Sequence, residues 1–400
     1  MRLVLALLAV LATTTTARAQ GSEARSPLRS LAAGQDKPVV ELVTMGVGSL
    51  IWERHGHIAL CVVYDDPSQD ACYNYGIGSF DHPLQMVWGF FHGTHSFWVA
   101  KMDPGQMLGI YYYADRTIWV QPLPLTADQK QQVIAKLEHD ILDDNKYYAY
   151  DHFWDNCTTR VRDIIDHATG GALSSMNEPT DGRTYRDLAR AGFYGMEVPL
   201  LVTDIAMGRA TDRVPSYYER MFLPDYLREA VQTKWHVEPI AIYTRRGPPP
   251  LSDGPSGRPW LALLILVITA PAWMFRRLRQ RQGKHRLERA GLWFALVPQL
   301  LLGAVLWFLA IISPLPYVRW NESCLVLLPL DILLVAFLPG PRRRSYARGR
   351  VVMLALIAAL RLIGVLEQPL WPLLLWPLVP CLVVGFLPEP PPPEGRPKKK

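Results

Sequence analysis

A cysteine that acts as a nucleophile needs a lowered thiol pKa and a base within reach. Residues 150–166 read YDHFWDNCTTRVRDIID, and the pattern predicts a helix start there. Asn156 is a favoured N-cap, and Cys157 then falls in the first turn, where free N–H groups and the macrodipole favour a thiolate. Val161, Ile164, Ile165 and Ala168 recur at helical spacing and give the helix a face to bury. Tyr147, Tyr148, Tyr150, Phe153 and Trp154 supply aromatic walls ahead of it. The bland alternative is a small buried cysteine that packs as a hydrophobe.

His57 is the best partner for Cys157, because imidazole can hold the thiol proton and later give it to a leaving group. A strand histidine facing a cysteine at a helix start is the papain-like ion pair in reversed chain order, and geometry rather than order decides its function. His55, two residues earlier on the same strand face, competes for the role or orients the ring. As an H-x-H pair the two could instead ligate a metal. No H-E-x-x-H or C-x-x-C spacing accompanies them, so no metal site and no cofactor are expected. Asp155 could orient a histidine or serve as an acid near the helix start.

The elements that must position these residues follow from the same sequence. Residues 39–43 suit a strand, and 49–65 (SLIWERHGHIALCVVYD) alternate and end in a β-branched run. Asp66-Pro67-Ser68 is turn chemistry, and 71–76 (ACYNYG) read as the return strand. If Cys61 faces Cys72, Ala59 lies against Asn74 and His57 against Gly76, with His57, Ala59 and Cys61 on one face. A Cys61–Cys72 disulfide would leave Cys157 as the odd thiol, whereas the alternative keeps all three reduced and buried. A short amphipathic helix is expected at 83–91, strands at 96–102 and 116–123, and a helix over 126–142 capped by Thr126. Residues 184–230 read as helical, with breaks at Gly192, Gly208 and Pro224.

The chain of 400 residues divides by composition. Residues 1–19 fit a secretory signal, with Arg2, an apolar run over 3–12, and Ala17-Arg18-Ala19 as the cleavage motif. Residues 20–37 read as a flexible lead, 38–244 as the exported catalytic domain, 245–259 as a Pro/Gly linker, 260–388 as membrane helices and 389–400 as a basic tail. The expected class is α+β: a small antiparallel sheet with helices, then an all-α bundle of about five membrane helices. These fall near 260–275, 291–312, 324–338, 351–366 and 370–387. The net charge of +6 is not a nucleic-acid signal, since much of it sits in clusters at 276–289, 342–350 and 398–400 beside apolar segments. With the first domain exported, all three clusters fall on the cytoplasmic side, as the positive-inside rule requires. Asp331 and Arg361 lie within expected membrane segments and are predicted to pair.

Three stretches carry a resemblance: Gly56-His57, then Tyr73-Asn74-Tyr75-Gly76 followed by Phe80, and 151–166 with its core Asp155-Asn156-Cys157-Thr158-Thr159-Arg160. Across about residues 39–230 the chain resembles the Lnb family of bacterial lipoprotein N-acyltransferases, which join an N-terminal periplasmic domain to a membrane-embedded part. The resemblance implies a permuted papain-like fold, related to the NlpC-type and lecithin:retinol acyltransferase folds, with His57 and Cys157 in the catalytic positions. It implies hydrogen bonding near His57, or a structural role, for Asn74 and Tyr75. Where the family often has a bulky aromatic before Gly-His, this chain has His55, so the third catalytic member stays open. The implied reaction moves an acyl chain from phospholipid, through a Cys157 thioester, to the amino group of a diacylglyceryl lipoprotein, in an inner-membrane protein with its catalytic domain in the periplasm. Phe90-Phe91, Phe97-Trp98 and Tyr111–Tyr113 could line an acyl groove or be plain core. The competing readings are a papain-like cell-wall peptidase or amidase, and a non-enzymatic membrane assembly or sensor module in which Cys157 is structural.

Overall fold

The computed structural model describes residues 27–78, 88–89, 92, 96–282 and 285–388. The expected signal peptide, the helix at 83–91, Phe80, Phe90-Phe91 and the basic tail lie outside the described residues. The chain forms two compact units: residues up to Phe193 together with Val214–Ser252, and Tyr194–Arg213 together with the residues from Asp253 onward. Residues 194–213, expected within the exported domain, therefore cluster with the later part of the chain.

The first unit is α+β. Its strands are β1 (Val39–Met45), β2 (His57–Val63), β3 (Ala71–Ile77), β4 (Ser96–Met102), β5 (Ile118–Pro122), β6 (Tyr147–Ala149) and β7 (Ile240–Tyr243). They form one seven-stranded sheet in the order β6-β4-β3-β2-β1-β5-β7, every pairing antiparallel. β1 is buried at all seven positions because it sits mid-sheet with both faces covered. On one face Leu42, Ile58, Leu60, Tyr73 and Tyr75 join Val133 and Leu137 of the helix Ala127–Asp140 and Val161 and Ile165 of the helix Cys157–Ala168. On the other, Val43, Met45 and Ala59 meet Met107, Leu108 and Tyr111 of the helix Pro104–Tyr113. That helix also contains the tyrosine run Tyr111–Tyr113. Burial on this scale contributes roughly 1.5–3 kcal/mol per large apolar side chain, which fixes the elements well enough to hold a site.

The β2–β3 hairpin has the register that a disulfide demands. Leu60 pairs with Tyr73, Cys61 with Cys72 and Val62 with Ala71, and the two cysteines are bonded. Cys157 is a free buried thiol. His55, by contrast, is not in the strand. β2 begins at His57, and Gly56 turns the chain at φ +79° just ahead of it. The lead differs from expectation too: residues 27–31 are helical, Leu28 and Ala32 are buried in the core, and Arg29 pairs with Asp70 at 2.7 Å. Likewise the expected linker is packed at its start, where the N–H groups of Arg246 and Gly247 both donate to Asp115 at 2.8 Å. β1 contributes one misfit, Glu41, which is fully buried with neither carboxylate oxygen partnered among the described residues. Burial, with a smaller push from the Asp70 charge, raises its pKa to about 8.

The second unit holds four long helices: Arg258–Gln282, His285–Ile312, Gly340–Leu362 and Trp371–Gly385. Two spans are long and apolar enough to cross a membrane, Arg258–Arg279 and Leu287–Ile312, and Trp371–Gly385 is apolar but shorter. The expected helix over 324–338 is not one. It is a four-residue turn of helix, Ser323–Val326, and a 3-10 segment, Pro329–Leu334. Pro329 lacks an N–H and biases the residue before it away from helical angles, so the apolar run alone misled. One end of this unit gathers both described basic clusters: Arg276 pairs with Glu288 and donates to the Leu387 carbonyl at 3.0 Å, and Arg344 donates to the same carbonyl at 2.9 Å.

The expected Asp331–Arg361 pair is also corrected. Asp331 is fully buried and pairs with Arg350 at 2.9 Å, with further donors from Tyr346 at 2.9 Å and Gln299 at 2.8 Å. Arg361 instead donates to the Gln368 carbonyl at 2.8 Å. With 324–338 unwound and the helix of Arg350 starting at Gly340, depth counted along an ideal helix no longer matched.

Candidate active site

Cys157 is the first residue of its helix, and the cap forms as the residue types require. Asn156 Oδ1 accepts the N–H groups of Thr158 at 2.8 Å and Thr159 at 2.9 Å, while Thr159 Oγ1 accepts the Asn156 N–H at 2.8 Å. The Asn156 amide then donates to the carbonyls of His152 at 2.7 Å and Phe222 at 3.0 Å, tying the helix start to two other segments. Such a cap is worth about 1 kcal/mol by itself. Here it also fixes where the sulfur sits. Gly76, at φ +80°, supplies the other requirement: a Cβ there would stand 3.3 Å from the Cβ of Cys157. A glycine lets the end of β3 and the helix start approach closely.

The thiol is hydrogen-bonded to His57. His57 Nε2 lies 2.5 Å from Asn74 Oδ1, so Asn74 accepts the Nε2–H and leaves Nδ1 for the sulfur. This is the chain cysteine–imidazole–amide, with the third member on β3. Asn74 is itself held, donating to Tyr111 Oη at 3.4 Å. Burial acts against both charged partners, raising a thiol and lowering an imidazole. For His57 the negative sulfur and the hydrogen bonds to Cys157 and Asn74 outweigh burial, and its pKa rises. For Cys157 the imidazolium charge, its hydrogen bond, and further bonds from Thr158 and the Ile58 N–H outweigh burial, and its pKa falls. Both shifts favour the thiolate–imidazolium form of the pair.

The other nominated residues sort clearly. His55 donates through Nε2 to the Ala189 carbonyl at 2.9 Å and stands edge-on to His152, with ring centres 4.9 Å apart. It does not share the strand face of His57. Burial lowers its pKa, and burial with the neighbouring His55 lowers that of His152 to about 3, so both rings are neutral. Tyr75 points into the opposite core layer and donates to Asp140 at 2.8 Å. Asp155 orients no histidine, since its carboxylate takes both arms of Arg160 at 2.6 and 2.8 Å. Among the described residues no cluster of histidine, cysteine or acidic side chains could hold a metal ion.

Cys157, His57 and Asn74 line a cavity of about 740 Å³ with predominantly apolar walls, including Phe97, Ile110, Tyr150, Phe193 and Phe222. At its mouth Ile51, Trp52 and Ile110 are 45%, 54% and 53% exposed, an apolar rim that water alone does not favour. Of the aromatic segments nominated for a groove, Phe97 and Tyr111 line the cavity. Trp98 packs on Tyr147, Tyr112 packs on Tyr243, and Tyr113 faces solvent. A second pocket, of about 500 Å³ around Tyr64, Lys101 and Glu138, is lined by neither cysteine nor histidine among the described residues. Both Arg116 and His152 lie in the cavity wall; Arg116 has no local motif, and nothing singles out His152, although inside the cysteine stretch, from its aromatic neighbours.

The family model described as the Lnb N-terminal periplasmic domain matches residues 32–191. No curated protein and no solved structure matches the chain. The matched span contains Cys157, His57 and Asn74, but ends before the Phe222-Leu223-Pro224 wall of the cavity.

Proposed function

Residues 32–191 belong to the Lnb N-terminal periplasmic domain family, and on that premise we propose that this membrane protein is a cysteine acyltransferase. It moves an acyl chain from phospholipid to the N-terminal amino group of diacylglyceryl lipoproteins. The observation that carries the reading is the Cys157–His57 pair, whose shifts favour thiolate and imidazolium, opening onto a largely apolar cavity with exposed Ile51, Trp52 and Ile110 at its rim. A peptide needs polar partners along its backbone, whereas an acyl chain needs apolar walls beside the nucleophile.

In the first half-reaction the Cys157 thiolate attacks the ester carbonyl. The Cys157 N–H is the helix-start donor left for the oxyanion, since Asn156 already takes those of Thr158 and Thr159. Collapse forms the thioester, and the His57 Nδ1 proton goes to the departing glycerol oxygen. In the second, the lipoprotein amine attacks the thioester, His57 takes a proton from the nitrogen, and the thiolate leaves as the amide forms. Asn74 keeps the ring oriented through both steps. The α+β unit is read as a permuted papain-like domain. The second unit anchors it, with the Arg276 and Arg344 end towards the cytoplasm.

The test is mass spectrometry of a native lipoprotein N-terminus in cells with the protein, without it, and with Cys157→Ala. N-acylation should be present only with the unaltered chain, and transfer by Cys157→Ala should fall at least about a thousandfold. Unchanged N-acylation in either altered strain rejects the proposal.

A further inference from the structure

Arg116 is only 4% exposed, yet it lines the same cavity as Cys157, and no other arginine or lysine is among the described lining residues. Its position is fixed by an Nε–H bond to the Gly46 carbonyl at 2.7 Å. Glu53 is a loose partner, 3.7 Å from Nη1, and its other oxygen caps the Leu50 N–H at 3.1 Å. Nη2 is buried and has no hydrogen-bond partner among the described residues. A buried guanidinium with donors left over is costly unless something else takes them.

What lies beside it names the ligand. The guanidinium stands over the Tyr111 ring, 4.9 Å from its centre, and that ring stacks with His57 at 5.9 Å. A fixed cation thus sits about one aromatic ring from the acid–base group, in a cavity otherwise suited to hydrocarbon. A phospholipid places its phosphodiester only a few bonds from the ester carbonyls. A guanidinium fork also matches two phosphate oxygens.

We infer that Arg116 is the anion-recognising residue of the cavity and takes a phosphodiester oxygen of the acyl donor while Cys157 attacks the ester. The inference rests on the acyl-transfer reading above. It adds that the donor is selected for its phosphate and not only for its acyl chains. A neutral diacylglycerol of the same chain composition would leave Nη2 unpaired and bind less tightly.

The test follows acyl-Cys157 formation by intact-protein mass spectrometry on the full chain in mixed micelles. The donors are dioleoylphosphatidylethanolamine, dioleoylglycerol and p-nitrophenyl octanoate. The unaltered protein should prefer the phospholipid over dioleoylglycerol by at least about tenfold at subsaturating donor, the size expected of one charge-assisted pair. Arg116→Gln should lose that preference through KM, with p-nitrophenyl octanoate turnover falling less than phospholipid turnover, and Arg116→Lys should restore part of the preference. An unaltered protein with no such preference, or an Arg116→Gln variant that keeps it, overturns the inference while leaving thiol acylation intact. Equal loss of all three donors in Arg116→Gln, unrelieved by lysine, assigns Arg116 a purely structural role and also overturns it. No acyl-Cys157 from any donor in the unaltered protein overturns the acyl-transfer reading itself. As a check independent of variants, sn-glycero-3-phosphoethanolamine should slow iodoacetamide labelling of Cys157 more than inorganic phosphate at equal ionic strength. Equal slowing by the two would mean a site for free anions and would overturn the donor assignment.

Discussion

A buried pair in each unit, Asp331–Arg350 in the second and Cys157–His57 in the first, can be set side by side, and the two are built differently. In the second unit Asp331 is saturated: Arg350 and Tyr346 meet one oxygen, and Arg350 and Gln299 meet the other. In the first, Cys157 and His57 are held by a few bonds and open onto a cavity. A buried pair with every lone pair occupied can only hold elements together. A pair with one side left open keeps a nucleophile available. The difference separates a structural pair from a reactive one, although burial and charge are alike in both.

The largest effect should come from breaking the saturated pair. Asp331→Leu leaves Arg350 buried and uncompensated and should cost about 3–5 kcal/mol, read as unfolding of the full chain in detergent. Adding Arg350→Leu should recover most of that loss. Full stability of Asp331→Leu alone would remove the pair from the structural account.

Next comes the open pair. With the Cys157 pKa lowered by the His57 charge and hydrogen bond, iodoacetamide labelling should already be fast below the usual thiol range. Asn74→Ala removes a hydrogen bond that raises the His57 pKa, so the His57 limb of the pH profile should move down and acyl transfer should slow about tenfold, or about 1.4 kcal/mol. An unshifted pH profile would strip Asn74 of its orienting role.

The last effect concerns a buried carboxyl with no hydrogen-bond partner among the described residues. Glu41 has a folded pKa near 8, well above that of an exposed carboxyl, so the folded state retains a proton that the unfolded chain loses. Its contribution therefore falls as pH rises from the ordinary carboxyl range towards 8. Glu41→Gln should be near neutral at pH 4 and stabilising by about 1–3 kcal/mol at pH 8. Equal pH dependence of unfolding in both proteins would show that Glu41 is ionised in the fold.

The sequence made some of this legible and hid the rest for identifiable reasons. Asn156-Cys157 could be read because a cap and a first-turn position are local properties. Cys61–Cys72 could be read because the Asp66-Pro67-Ser68 turn sets the hairpin register. Asn74 was visible as a motif residue, but its contact with His57 Nε2 depends on side-chain reach beyond the paired part of the ladder. His55 was misplaced because one positive-φ glycine ended the alternation that put it on the strand face. Arg116 had no signal, since what matters is the donor it leaves unpaired and not its neighbours in the chain. The Asp331 partner failed for a different reason: hydropathy cannot distinguish a helix from an irregular apolar segment.

The path of the chain carries a practical lesson about dissection. It departs from the first unit after Phe193, spends twenty residues in the second, and comes back at Val214 to supply the Phe222-Leu223-Pro224 wall, the helix Pro224–Trp235 and edge strand β7. A fragment cut at the end of the matched family span would lack one side of the cavity beside Cys157 and the strand that covers β5. The two units are interleaved along the chain, so neither can be excised by a single cut.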